Sequence, residues 1–200
     1  MSHLPAHISL RLFVAVAVWL VVVALGVGVL WQFAAQPGSE KGPARQWPEG
    51  SQLMAARDRP TLVVFAHPKC PCTRATLAEL ARLLARSKDR VETHVVFVRP
   101  LGSAAGWERT DLWDSAAAIP GVAVAVDPEG AEARRFGATT SGYTLLYGTD
   151  GHLQFSGGIT GSRGHAGDNP GEDAIISLLT TGRSDRVKTP AFGCALLNEA

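Results

Sequence analysis

Residues Thr61–Ser87 read TLVVFAHPKCPCTRATLAELARLLARS. The first six are apolar and rich in β-branched side chains, which is typical of a fully buried strand. From Thr73 onward, leucines and alanines recur at helical spacing, which predicts an amphipathic helix with Thr73 or Cys72 as its N-cap. The prolines of HPKCPC predict a non-helical loop between these elements. Cys70 and Cys72 are therefore expected between the end of a strand and the start of a helix.

The alternation of strands and helices continues along the chain. The further predicted elements are a strand at Val91–Val98, a helix at Trp107–Ala118, a strand at Val122–Asp127, a helix at Glu129–Phe136 ended by Gly137, strands at Tyr143–Tyr147 and Leu153–Ser156, and a helix that Asn169 caps and that ends at Gly182. The pair Asp150-Gly151 is a hairpin signal. This order predicts an α/β three-layer domain whose mixed sheet is parallel at first and closed by an antiparallel C-terminal hairpin.

The N-terminal run Leu12–Trp31 contains only hydrophobic residues and two glycines. At 1.5 Å per residue it reaches about 30 Å, the thickness of a bilayer core. We expect a transmembrane anchor at residues 12–33, with the lipid bilayer as a partner. A cleaved signal peptide is the alternative, but cleavage after Ala35 would place Phe33 where a small residue is needed. Basic residues on both sides leave the orientation undecided, and we expect an exported C-terminal domain.

Composition sets the remaining limits. Hydrophobic residues make up 46% of the chain, which excludes a disordered protein. The formal net charge of +1 gives no reason to expect a nucleic-acid partner. The predicted parts are an N-terminal tail (1–11), the anchor (12–33), a Pro/Gly-rich linker (34–59), the α/β domain (60–183) and a C-terminal tail (184–200) that carries Cys194.

The two cysteines at the helix start are the candidate catalytic residues. Unpaired N–H groups and the helix dipole stabilise a thiolate there and lower its pKa from about 8.5. We expect Lys69 and Arg74 to add to this effect. A thiolate of this kind is a nucleophile for thiol–disulfide exchange with protein thiols or disulfides, and this chemistry requires no cofactor.

The spacing of the two cysteines leaves other interpretations open. Only Pro71 separates them, so a Cys70–Cys72 disulfide would close a small strained ring that is readily reduced. Soft thiolates also select Cu(I), for which Cys70, Cys72 and His67 form an alternative ligand set. A third possibility is a pair of reduced, inert thiols.

Further candidate residues lie elsewhere in the chain. Cys194 could resolve a disulfide at Cys70 or Cys72, share a metal, or pair between chains. The glycine-rich loop Gly157–Gly171 is expected to emerge beside Cys70, because the second hairpin strand returns to that end of the sheet. Its Arg163 and His165 are candidates for tuning thiolates or accepting a proton, as is His67. The alternatives are a solvated loop and, for His67, a hydrogen bond at the strand end.

Four strings carry a resemblance to a known group. They are AHPKCPCTRA (Ala66–Ala75), TSGYTLLY (Thr140–Tyr147), FSGGITGSRGHAGDN (Phe155–Asn169) and TPAFGC (Thr189–Cys194). They resemble the RedB group of thioredoxin-like proteins, and the element order over Pro60–Gly182 resembles the thioredoxin-like fold. The single anchor resembles membrane-tethered thioredoxin-like proteins that face the periplasm. The resemblance implies a single-pass protein of the bacterial inner membrane that acts as a thiol–disulfide oxidoreductase, with Cys70 as the attacking thiol.

The resemblance also implies a substrate groove formed by Ser141, Gly142, Gly157 and Gly158. Two features depart from the family pattern. A Cys-Pro-Cys motif replaces Cys-x-x-Cys, and Ser141-Gly142 stands where thioredoxins have a cis-proline that keeps metals from the thiols. These departures leave open a metal-binding or metal-delivery module, and also a non-catalytic thioredoxin-like interaction domain.

Overall fold

The computed structural model describes residues 6–197, and the chain divides into two compact units after Gln36. The first unit is the helix α1, Ala6–Ala35. Within its segment Leu10–Ala35, an 18-residue window has a mean hydropathy of 2.9 and no buried residues. The predicted N-terminal apolar helix is thus confirmed, and by length and composition it could span a membrane or serve as a signal sequence.

The second unit contains the remaining elements. They are β1 (Thr61–Ala66), α2 (Pro71–Ser87), β2 (Glu92–Arg99), α3 (Asp111–Ala117), β3 (Val122–Pro128), α4 (Ala131–Phe136), β4 (Tyr143–Tyr147), β5 (Leu153–Gly157) and α5 (Pro170–Thr181). The sheet has the order β3-β2-β1-β4-β5. β1, β2 and β3 are parallel, whereas β4 is antiparallel to both β1 and β5. The predicted α/β fold class, a mixed sheet closed by an antiparallel C-terminal hairpin, is confirmed.

The central strand β1 separates two apolar cores. All six of its residues are buried, so both faces of the sheet must be covered. Leu62 and Val64 pack into the core shared with α2, α3 and α5. Val63 and Phe65 pack into the core on the opposite face, which α4 covers through Phe136. This placement makes β1 the strand that positions the loop carrying the cysteines.

The segment 34–59 is not a free spacer, contrary to the sequence-based interpretation. The Trp47 ring makes edge contacts with Phe136 and Tyr147, at centroid distances of 5.2 and 5.3 Å. The Trp47 N–H donates to the Gly151 carbonyl at 2.8 Å, and Leu53 is buried in the second core. A few apolar side chains in a Pro/Gly-rich segment are enough to hold it against the aromatic cluster, and apolar periodicity does not reveal them.

The start of α2 also differs from the prediction. The helix begins at Pro71 with Cys70 as its N-cap, rather than Thr73 or Cys72. Proline fits the first helical position because the N–H it lacks would have no partner within the helix. Pro71 therefore belongs to the helix, and the thiol of Cys70 lies at its N-terminus.

Three other helix ends can be compared with the sequence-based predictions. α3 begins at Asp111 instead of Trp107, because Thr110 is the N-cap and accepts the Leu112 N–H at 3.3 Å. In α5 the predicted N-cap is confirmed, since the Asn169 side chain accepts the Glu172 N–H at 2.9 Å. Gly137, as predicted, ends α4 in the left-handed conformation.

Asp127 offers a test of the α4 anchor. Its buried carboxylate accepts the N–H groups of Glu132 and Ala133 at 2.8 and 2.9 Å. We expect Asp127→Ala to lower the free energy of unfolding by about 2 kcal/mol, because two buried donors lose their acceptor. Denaturant unfolding of the variant measures this change. Asp185→Ala, at an exposed carboxylate, is the control and should change stability by less than about 0.5 kcal/mol; equal effects would contradict the prediction.

Candidate thiol site

The loop between β1 and α2 is fixed against the start of β4. The His67 N–H donates to the Ser141 hydroxyl at 2.9 Å, and the Thr73 and Ser141 hydroxyls are 2.9 Å apart. The Cys70 N–H and the Thr73 hydroxyl both donate to the His67 carbonyl, at 3.1 Å each. These bonds hold Cys70, which is fully buried, at the junction of strand, loop and helix.

The third cysteine lies directly on this junction. The sulfur atoms of Cys70 and Cys194 are 3.0 Å apart, and the Cys194 N–H donates to the Cys70 sulfur at 3.4 Å. The Cys194 carbonyl in turn accepts the Ser141 N–H at 2.8 Å. All three cysteines are free thiols, with Cys70 buried, Cys72 half-buried and Cys194 exposed. The C-terminal segment therefore brings a second thiol to Cys70 from 124 residues away.

The surroundings of Cys70 favour its ionised form. Burial acts to raise the pKa of this thiol, and the thiol and the N–H of Cys194 are the largest of the effects that lower it. The amides of Cys72 and Thr73 in the first turn also lower the pKa. The net result is a lowered pKa for Cys70.

The other two thiols hold their protons more firmly. Burial and the neighbouring Cys70 raise the pKa of Cys72, while the charge of Arg163 and the Gly164 amide oppose this effect. Burial, followed by the hydrogen bond to Cys70, raises the pKa of Cys194 to about 12. Cys70 therefore ionises first, and the Cys194 S–H then donates to its sulfur. Of the three thiols, Cys70 is thus the one that ionises most readily, and Cys194 is the thiol that stabilises its charge.

The glycine-rich loop lies beside the thiols, as its position in the sheet predicts. The Arg163 guanidinium donates to the Gly193 carbonyl at 2.6 Å, immediately before Cys194. The loop itself is anchored by the fully buried Glu79 of α2, which accepts the Gly167 N–H at 2.7 Å and the Asn169 side-chain amide at 3.4 Å. Glu79 was missed in the sequence because nothing distinguishes it from the exposed charges of an amphipathic helix.

Two predicted electrostatic contributors lie elsewhere. The Lys69 ammonium lies 4.4 Å from the centre of the Trp107 ring, and Arg74 pairs with Asp111 on the surface. Neither is among the groups that lower the pKa of Cys70. The expectation that Lys69 and Arg74 assist the thiolate is therefore wrong, because each finds a nearer partner. Arg163 is the cation that acts on Cys72 and Cys194.

The two candidate histidines, His67 and His165, lie in different surroundings. The ring Nδ1 of half-buried His67 accepts the Lys69 N–H at 3.2 Å, and the ring makes an edge contact with Trp107 at 5.5 Å. Burial, and secondarily the charge of Lys69, lowers its pKa. His165 is exposed in the glycine-rich loop, where its N–H donates to Ser162. Their catalytic roles remain predictions from the sequence.

The predicted groove is covered by the chain itself. A Cβ atom at Gly157 would come within 3.0 Å of Thr189, and one at Gly158 within 3.0 Å of Pro190. The covering segment extends the sheet edge, since Thr189 donates its N–H to Ser156 at 3.1 Å. Gly142, with φ at 87°, donates its N–H to the Phe65 carbonyl at 2.7 Å. The tail thus pairs with the sheet at Gly157 and Gly158, and the substrate groove at Ser141, Gly142, Gly157 and Gly158 stays a prediction from the sequence.

The predicted soft-metal ligand set is not assembled. Across residues 6–197, no group of three or more His, Cys, Asp or Glu side chains is placed to hold a metal ion. His67, the third ligand of the alternative set, already uses Nδ1 as an acceptor for Lys69. Any soft-metal binding at this site would have to depend on the sulfur atoms.

Comparison with known proteins supports the fold. No family model matches the chain, and no curated protein matches it. An uncharacterised conserved protein from Geobacillus kaustophilus is 16% identical, with a TM-score of 0.59 over 82% of this chain and 93% of that one. A hypothetical protein from Sinorhizobium meliloti is 18% identical, with a TM-score of 0.55 over 80% and 93%. A secreted disulfide oxidoreductase from Mycobacterium tuberculosis is 15% identical, with a TM-score of 0.45 over 62% and 81%. At these identities the likeness to the Geobacillus and Sinorhizobium proteins is one of fold.

Substitution of Cys194 tests the origin of the lowered pKa. We expect Cys194→Ala to raise the pKa of Cys70, because the S–H donor is lost while the backbone N–H remains. The ultraviolet absorbance of the thiolate against pH, with Cys70→Ser as the blank, measures the shift. Asp185→Ala, at an exposed side chain, is the control and should leave the titration of Cys70 unchanged. An unchanged Cys70 titration in Cys194→Ala would contradict this account.

Proposed function

We propose that this chain is a membrane-tethered thiol–disulfide oxidoreductase in which Cys70 is the nucleophile. The observation that carries the proposal is the buried Cys70 sulfur, with its lowered pKa, 3.0 Å from the sulfur of a second thiol. A nucleophile next to a second thiol is the arrangement that thiol–disulfide exchange requires. Protein thiols and disulfides are the proposed partners.

The exchange takes place in two steps. The Cys70 thiolate attacks one sulfur of a substrate disulfide, forming a mixed disulfide and releasing the first substrate thiolate, which takes up a proton. Cys194 then attacks the Cys70 sulfur, loses its proton, and displaces the second substrate thiolate. The substrate gains two electrons and the protein holds a Cys70–Cys194 disulfide. An external dithiol regenerates the reduced pair by the reverse exchange.

Cys194 is a better resolving thiol than Cys72. Its sulfur already contacts Cys70, whereas a Cys70–Cys72 bond would close a ring across the single residue Pro71. The charge on Cys70 helps to hold the proton on Cys194. Once Cys70 enters a mixed disulfide that charge disappears, so Cys194 ionises more easily at the step where it is needed. Cys72 remains the alternative resolving thiol.

The location is part of the same proposal. The apolar helix α1 is taken as a single anchor in the bacterial inner membrane, with the thiol domain in the periplasm. An exported domain is consistent with disulfide chemistry, which oxidising compartments favour. The RedB-like strings of the sequence support the same placement.

Redox titration tests the chemistry. In thiol–disulfide buffers spanning about −300 to −120 mV, followed by alkylation and mass spectrometry, the wild type should show one reversible two-electron couple with a Cys70–Cys194 disulfide. Cys70→Ser should abolish it, and Cys72→Ser should leave it in place.

The outcome is decisive in either direction. Absence of any reversible couple in the wild type would overturn the proposal. A reduced protein that instead retained one Cu(I) per chain, dependent on Cys70, would support the metal-binding alternative.

Membrane fractionation tests the anchor. We expect the full-length chain to stay in the membrane after an alkaline carbonate wash, and its intact mass to include α1. Replacing Leu20 and Val21 with lysine should release the chain, because charges at the centre of a span oppose insertion. A shortened, soluble wild-type product would instead identify α1 as a signal sequence.

A further inference from the structure

The C-terminal segment Lys188–Leu197, here called the strap, is held by the buried side chains of Ala191 and Leu196 in the second core and, around Cys194, by its backbone. The Cys194 carbonyl accepts the Ser141 N–H at 2.8 Å, and the Leu196 N–H donates to the Thr139 carbonyl at 2.9 Å. Thr140 and Ala195 form an antiparallel bridge. Backbone pairing of this kind is how an extended peptide adds to a sheet edge, and it depends little on side-chain identity.

The strap has one strict side-chain requirement. Gly193 is buried, and a Cβ atom built there would lie well under 3.0 Å from the Ser141 carbonyl oxygen. The neighbouring backbone belongs to the segment that also fixes the His67 loop, so it has little freedom to withdraw. On the other side, Arg163 binds the Gly193 carbonyl. The position before the cysteine therefore admits only glycine in this register.

The strap also restricts access to the nucleophile. Cys70 is fully buried, and the Cys194 sulfur and N–H occupy the space beside its sulfur. A substrate disulfide must approach the Cys70 sulfur directly, so Cys194 has to move before the first exchange step. The surface that the strap leaves is then available to another extended chain.

We propose that the strap occupies the substrate site of its own chain. The substrate is an extended polypeptide with glycine directly before its reactive cysteine. Its Gly-Cys pair takes the place of Gly193-Cys194 against Thr139–Ser141. This inference rests on the proposed function and adds to it the register and the preferred sequence. The preference for glycine rests on the close approach of Gly193 to the Ser141 carbonyl.

The first experiment loosens the strap in the full-length chain. In Gly193→Ala the new Cβ meets the Ser141 carbonyl, whereas in the control Gly42→Ala the new Cβ has nothing within 4 Å. Iodoacetamide modification is measured at a pH above the Cys70 pKa of every variant, so that the rate reports access to the sulfur and not its ionisation. We expect the rate at Cys70, mapped by mass spectrometry, to rise at least about tenfold in Gly193→Ala and to stay unchanged in Gly42→Ala. Arg163→Gln, which removes the bond to Gly193, is a second variant and should change the rate in the same direction. Unchanged rates in both test variants would overturn the strap proposal.

The second experiment tests the register. Two peptides, one with Gly-Cys-Ala and one with Ala-Cys-Ala, carry thionitrobenzoate as a mixed disulfide on cysteine and are given to the reduced wild type. We expect the glycine peptide to release thionitrobenzoate at least about tenfold faster, with the peptide bound to Cys70. Equal rates would overturn the register. Failure of the proposed function would look different, because the small symmetrical reagent dithiobis(nitrobenzoate) would then also fail to react at Cys70.

Discussion

The pairing of β1 with β4 is the constraint on which the site depends. Phe65 and Tyr143 are partners across the two strands, so the loop that leaves β1 and the segment that enters β4 must lie together at one edge of the sheet. The Gly142 N–H then bonds to the Phe65 carbonyl, and the Ser141 hydroxyl bonds to the His67 N–H. Because β1 is buried on both faces, this junction has a rigid base, and the sulfur of Cys70 has a fixed position relative to Ser141.

The fixed junction explains how a fully buried thiol can have a lowered pKa. Burial alone would favour the neutral form, as it does for Cys72 and Cys194. Cys70 differs because the N-terminus of α2 and the strap both direct donors at its sulfur. The protein thereby concentrates ionisation on one of three neighbouring thiols. The same donors that stabilise the thiolate also shield it from solvent, so activation and access are opposed in the closed arrangement.

Much of the fold could be predicted from the sequence, because buried strands, the Asp-Gly turn and the Asn169 cap are local signals. The predicted position of the two cysteines follows from the same local patterns. The possible roles of Cys194 could not be ranked from the sequence. Its contact with Cys70 depends on backbone pairing between the strap and Ser141, and no side-chain pattern in the sequence predicts that pairing. Glu79 was missed for a related reason, since its burial depends on a loop almost ninety residues away.

The glycines of this domain have a common physical explanation. A glycine-rich loop is often interpreted as mobile, but several of these residues lie where two backbones approach closely. A side chain at Gly157 would meet the Thr189 backbone and one at Gly193 would meet the Ser141 backbone, while one at Gly38 would meet the Thr140 side chain. The strap and the segment after α1 can therefore pack on the sheet edge because Cβ atoms are missing at the contact points. Glycine here permits close packing around a reactive sulfur, and that packing holds Cys194 against Cys70.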